Sequence, residues 1–163
     1  ALRLLVEYLP ALSADDAVTD GDVETRSQLA LAALLCGQGT DATGGGLASV
    51  LGHAVGARFQ LDNGLVNAVV LPHTMRFNLL ATESRLVRVA SALTAGKNAH
   101  AVIAGVESLL QRMMLPRRLR DLGVPQDALA DLAERAMDDW FVTRNPRRVD
   151  GPAAVLGILE AAW

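Results

Sequence analysis

The stretch "GGLASVLGHAVGARFQLDNGLVNAVVLPH", residues 45–73, decides how this chain is read. Its apolar residues recur at helical spacing, break once at a short polar turn, and resume, which predicts helix, turn, helix. It holds two of the three histidines, His53 and His73. Ser49 and His53 lie four apart and share one helix face. Asn63 follows His53 by ten residues and stands at the N-terminus of the returning helix, beside Asp62. His53 is therefore expected to face the Asp62–Asn63 turn.

That constellation invites comparison with a metal or catalytic site. A catalytic transition metal takes about three imidazole, thiolate or carboxylate ligands. Ser49, His53 and Asn63 provide one, and Asp62 makes two, so no metal ligands are assigned. Each residue also has a plainer role. Asp62 or Asn63 caps the returning helix. Ser49 is a small residue that lets helices approach. His53 lines an interhelical cleft, His73 is a hydrogen-bonded histidine in or near the core, and His100 is exposed near a helix start.

Working outward, nearly every segment keeps the helical period. Leu2, Leu5, Val6 and Leu9 form one stripe, ended soon after by Pro10. "SADDAVTDGD" (13–22) reads as a polar loop in which Asp22 caps the next helix. Val23 to Cys36 is apolar nearly all round and is expected to be a central, buried helix with Cys36 a small buried hydrophobe. "GQGTDATGGG" (37–46), with five glycines, is the strongest breaker and reads as an interhelix connection. No GK[ST] follows it and no strand precedes it, so it is neither a Walker loop nor a dinucleotide fingerprint. Further helices are expected at about 46–56, 64–78 (kinked or broken at Pro72), 82–94, 98–114, 126–140 and 152–162. No alternating strand pattern, no fixed repeat and no G-x-S-x-G elbow is present. The expected fold class is all-α, a multi-helix arrangement over 1–163 as a single domain.

Composition narrows the function classes. Of 163 residues 51% are hydrophobic, which suits a buried core, and only 4% are aromatic, which makes that core aliphatic. The net charge of −3 speaks against a nucleic-acid partner. The basic clusters "RRLR" (117–120) and "RNPRR" (144–148) read as solvated surface. A lone cysteine forms no internal disulfide and no zinc spacing, which suits a reducing cytoplasm. No apolar run reaches the ~18–20 residues of a membrane span. The chain opens in helical sequence without an initiator Met, which hints that it is cut from something longer.

In "GLASVLGHAVGARFQLDNGLVNAVVLPHTMRFN" the order of "HAVGARF", "NGLVNAVVLPH" and "RFN" resembles the signature region of the iron-containing alcohol dehydrogenases. The tail agrees, with "LPRRLRDLGV" similar to that family's P-x-x-L-x-x-L-G segment and "RNPRRV" similar to its NPRPV ending. "NAVVLPH" and "LRDLGV" lean towards the maleylacetate reductase branch. The resemblance implies the C-terminal helical domain of the dehydroquinate synthase-like fold, with a missing N-terminal domain that carries NAD or NADP. It implies that metal ligands would stand at 49 and 63, where this chain has Ser49 and Asn63, with Asp62 in place of a proline. It also implies that His53 lies near the nicotinamide and handles a proton.

The expected function is the metal- and substrate-side domain of a nicotinamide-dependent oxidoreductase acting on a small carbonyl compound or alcohol. His53 is the catalytic and cofactor-facing residue, and Ser49, Asp62 and Asn63 line the substrate site. Partners beyond the missing domain are small molecules, with no nucleic acid or membrane expected and homo-oligomer formation left open. The rival reading is a catalytically degenerate structural or binding domain of the same fold.

Overall fold

A computed structural model describes residues 1–12, 20–92 and 98–163. Helix α1 is Leu2–Tyr8, followed by a 3₁₀ turn over Leu9–Ala11 that contains Pro10. Helix α2 spans Asp20–Thr43, α3 Leu47–Phe59, α4 Asn63–Ala92, α5 Ala99–Arg112, α6 Leu129–Ala136 and α7 Pro152–Ala162. Short 3₁₀ turns at Leu119–Leu122, Gln126–Ala128 and Trp140–Arg144 join the later helices. Among the described residues there is no strand.

The ends of the central helices follow from local chemistry. Gly44 takes a left-handed φ of 74° and its N–H donates to Thr40 O at 2.7 Å, which closes α2. Gln60, at φ 54°, closes α3 in the same way. Asp62 Oδ1 then accepts Leu65 N at 3.1 Å and caps α4. Asn98 Oδ1 caps α5 by accepting His100 N at 2.9 Å, and Pro152 occupies the first turn of α7.

The core lies where α3, α4, α6 and α7 meet. Val50, Leu51 and Val55 of α3 pack with Val66 and Val70 of α4, Leu132 of α6, and Val155 and Leu159 of α7. Leu119 and Val124 close it from the connecting turns. Helix α5 lies along α4, and α1 pairs with α2.

Several sequence expectations need correction. The glycine-rich run 37–46 is not one connection, because α2 continues to Thr43 and only Gly44–Gly46 form the break. A Cβ at Gly37 or Gly39 would meet nothing within 4 Å, so these glycines sit in an exposed helix and cost propensity without breaking it. Pro72 does not divide its helix. It is buried inside α4, where the packing of Val66, Val69 and Val70 offsets the lost N–H. The segments expected at 64–78 and 82–94 are therefore one helix as far as Ala92, with 93–94 outside the described residues. The 126–140 helix is a 3₁₀ turn, a short α6 and a turn.

Helix α2 is not buried on all faces. Ala32 is buried, but Leu31, Leu34 and Leu35 are exposed and so is Cys36. An apolar sequence reports a preference for burial and not the presence of a covering surface. Asp22 lies inside α2, whose first residue is Asp20, and most of the loop expected at 13–22 lies outside the described residues.

Candidate functional site

Helices α3 and α4 approach closely because glycines on one face asparagines on the other. A Cβ at Gly52 would collide with Asn67 Oδ1, and one at Gly56 would collide with Asn63 Oδ1. The i, i+4 spacing of both pairs is the helix period read twice in opposite directions. Asn67 Oδ1 is buried with no hydrogen-bond partner among the described residues and rests on the Gly52 backbone.

His53 leaves the next face of α3, away from this seam. Its Nδ1 lies 2.7 Å from Asp139 Oδ2, in the turn that follows α6. The His53 side chain is 48% exposed and that of Asp139 17%, so the pair sits at a cavity rim. That cavity, of about 460 Å³, is bordered by Ala54, Ala57 and Arg58 of α3 and by Arg135, Asp138 and Asp139. With Nδ1 engaged, Nε2 is the ring nitrogen left to meet a ligand.

The turn carrying Asp139 is fixed at several points. Asp139 Oδ1 accepts Phe141 N at 2.9 Å. The Phe141 ring stands 5.9 Å from the His53 ring and 4.2 Å from Trp140. Phe141 also covers Gly45, where a Cβ would come within 2.8 Å of the ring. Asn145, buried, closes the turn: its Oδ1 accepts from Asn78 Nδ2 at 3.0 Å and from Leu47 N at 3.3 Å. Its Nδ2 donates to Asn78 Oδ1 at 2.7 Å and to Arg147 O at 2.6 Å. One amide thus ties the start of α3 to the middle of α4 and to the turn.

The expected site residues do not all converge. Ser49 Oγ faces Gly45, and Asn63 faces Gly56. Asp62 caps α4. Among the described residues no hydrogen bond joins any of these three to His53, whose partner is Asp139 and not the Asp62–Asn63 turn. Sequence reading missed Asp139 because "AMDDW" was placed inside a helix, and missed Asn145 because "RNPRR" was read for its charge. His73 is half buried on α4, and burial, followed by the nearby Arg76, lowers its pKa below 6.5. Its ring makes no hydrogen bond among the described residues, unlike the expectation for it. His100 is exposed as expected.

The sequence profile of the Fe-containing alcohol dehydrogenase family, C-terminal part, matches residues 1–163. The chain belongs to that family. Its all-α fold is that of the C-terminal domain of these oxidoreductases. It is 31% identical over 155 residues to the NAD-dependent methanol dehydrogenase of Bacillus methanolicus, covering 90% of this chain and 39% of that protein. Among solved structures, a 1,3-propanediol oxidoreductase superposes with a TM-score of 0.89 at 27% identity, over 99% of this chain and 43% of the other. The maleylacetate reductase of Agrobacterium tumefaciens superposes with a TM-score of 0.80 at 30% identity and the same coverages. The chain thus spans about two fifths of the length of these relatives.

The family's iron provides a test of the donors present. Ser49 and Asn63 present a hydroxyl and an amide, which are poor ligands for iron or zinc. The amide oxygen of Asn63 is packed on Gly56. Among the described residues no three His, Cys, Asp or Glu side chains gather as a metal site. No described helix is long and apolar enough to cross a membrane.

Proposed function

We propose that this chain is the substrate-side domain of a nicotinamide-dependent oxidoreductase that interconverts a small carbonyl compound (an aldehyde, ketone or oxo acid) and the corresponding alcohol. The observation that carries this reading is the His53–Asp139 pair at the rim of a cavity. The nicotinamide supplies or accepts the hydride. Its dinucleotide is held by an N-terminal domain outside residues 1–163, since the described residues contain no strand on which a dinucleotide motif could be built.

In the reducing direction His53 donates a proton from Nε2 to the carbonyl oxygen as the hydride reaches carbon, giving the alcohol and a neutral imidazole. Solvent reprotonates the ring, which is exposed enough for that exchange. Asp139 holds Nδ1 and so decides which nitrogen is presented. Ser49, Asp62 and Asn63 do not line the His53 cavity, so substrate contact falls to the residues that do, Arg58 and Arg135 among them. Proton donation by His53 replaces metal assistance in this account.

A second reading, a degenerate domain that binds but does not turn over, is favoured by the hydroxyl and amide at 49 and 63. Titration of the longer protein with NADH and NADPH, followed by nicotinamide fluorescence, separates the two. Saturable binding of either cofactor with turnover of a small carbonyl compound supports the oxidoreductase. Absence of cofactor binding contradicts it.

A further inference from the structure

A second cavity, of about 630 Å³, shares no lining residue with the His53 cavity. Its floor is the middle of α4 at Val69, Pro72 and His73, and its side is the end of α5 at Glu107 and Gln111. Its rim is the turn after α5, which contributes Arg117, Arg118 and Arg120. The size suits a small metabolite.

The charge balance of this wall is uneven. None of the three arginines is in an ion pair among the described residues. The two acids at the wall are already engaged. Glu107 Oε1 takes Arg76 Nη2 at 2.6 Å, and Asp121 Oδ2 accepts Arg118 N at 3.1 Å. Arg120 is held in place by the Trp163 ring, 5.4 Å from its guanidinium carbon. That ring is anchored in turn by Nε1 donating to Val124 O at 2.8 Å. Guanidinium groups present planar pairs of N–H donors matched to carboxylate and phosphate oxygens, and a concave wall focuses their field.

We propose that this cavity binds a small polyanion bearing phosphate or carboxylate groups, held by Arg117, Arg118 and Arg120. The site is separate from the His53 cavity and does not depend on the function proposed for it. Gln111 adds an amide able to meet a hydroxyl or a further oxygen of the ligand.

Isothermal titration of the chain with pyrophosphate and with citrate, at matched ionic strength, tests this. Saturable one-to-one binding of at least one probe is expected, weakened by about tenfold or more in Arg117→Ala and in Arg118→Ala, as loss of a charge-assisted contact predicts. Both arginines are exposed, and thermal melts verify that each variant still folds. Arg88→Ala, on α4 and outside the cavity lining, should leave the affinity unchanged. Binding of pyrophosphate alone assigns a phosphate ligand, and binding of citrate alone assigns a carboxylate one. Binding of neither probe overturns the proposal. So does binding that survives both variants, or that falls equally in Arg88→Ala.

Discussion

His53 and Asp139, 86 positions apart in the chain, meet with Nδ1 and Oδ2 at 2.7 Å. The same carboxylate uses its other oxygen to accept Phe141 N, so one side chain both starts a turn and orients an imidazole. Asp139→Asn separates these tasks. The amide oxygen can still accept Phe141 N, but its NH₂ group cannot accept a hydrogen bond from Nδ1–H. In the longer protein His53→Ala should lower kcat by about 10²–10⁴, the usual worth of a positioned acid. Asp139→Asn should lower kcat by a smaller factor and alter its pH profile, with KM little changed. Steady-state rates across pH check both, and an unchanged profile in Asp139→Asn removes Asp139 from its positioning role.

Asn145 makes four hydrogen bonds from a buried position. Truncation leaves Leu47 N, both ends of the Asn78 amide and Arg147 O without this partner. Buried groups left unsatisfied cost about 1–3 kcal/mol each, less where water can enter. Asn145→Ala should therefore destabilise the chain by about 2–4 kcal/mol in urea unfolding. A change below about 0.5 kcal/mol, the range of neutral surface changes, would contradict its role as the tie between α3, α4 and the turn.

The α3–α4 seam makes a coupled prediction. Gly52→Ala drives a methyl into Asn67 Oδ1 and should cost about 1–3 kcal/mol as overpacking. Asn67→Ala removes that obstacle, together with an amide oxygen that has no partner. The double variant should recover most of the loss, giving a coupling energy that a double-mutant cycle measures. Strict additivity would place Gly52 and Asn67 out of contact.

His73 gives a pH dependence. Its folded pKa lies below the unfolded value of 6.5, chiefly through burial and then through Arg76. Below pH 6.5 the unfolded chain therefore binds more protons at this site than the folded one. The sign is that stability contributed by neutral His73 is present above 6.5 and is lost as pH falls towards the folded pKa. His73→Gln should flatten this part of the stability profile, measured as denaturation midpoints between pH 5 and pH 7.5.

The fold class was legible because helical periodicity is a local signal, and "GLASVLGHAVG" and "NGLVNAVVLPH" carry it clearly. The Asp62 cap was legible for the same reason. The burial of α2 was misread because Leu31, Leu34 and Leu35 state what the helix prefers and not what lies against it. The continuity of α4 through Pro72 was not legible, because burial within the helix outweighs a local cost that the sequence does show. The site was only half legible. His53 stands out by residue type and register, but its partner Asp139 comes from a distant turn whose 3₁₀ geometry no short-range pattern announces. Asn145 was hidden by its arginine neighbours, since a hub of side-chain amides has no periodic signature.

The central claim is proton donation by His53 without metal assistance, and one preparation of the longer protein tests it most directly. Metal content by mass spectrometry and NAD(P)H-dependent turnover of a small carbonyl compound are measured on the same sample, before and after chelation. The account predicts metal far below one equivalent per chain and turnover unaffected by chelation. Stoichiometric iron or zinc, with turnover lost on its removal and restored on its return, would contradict it.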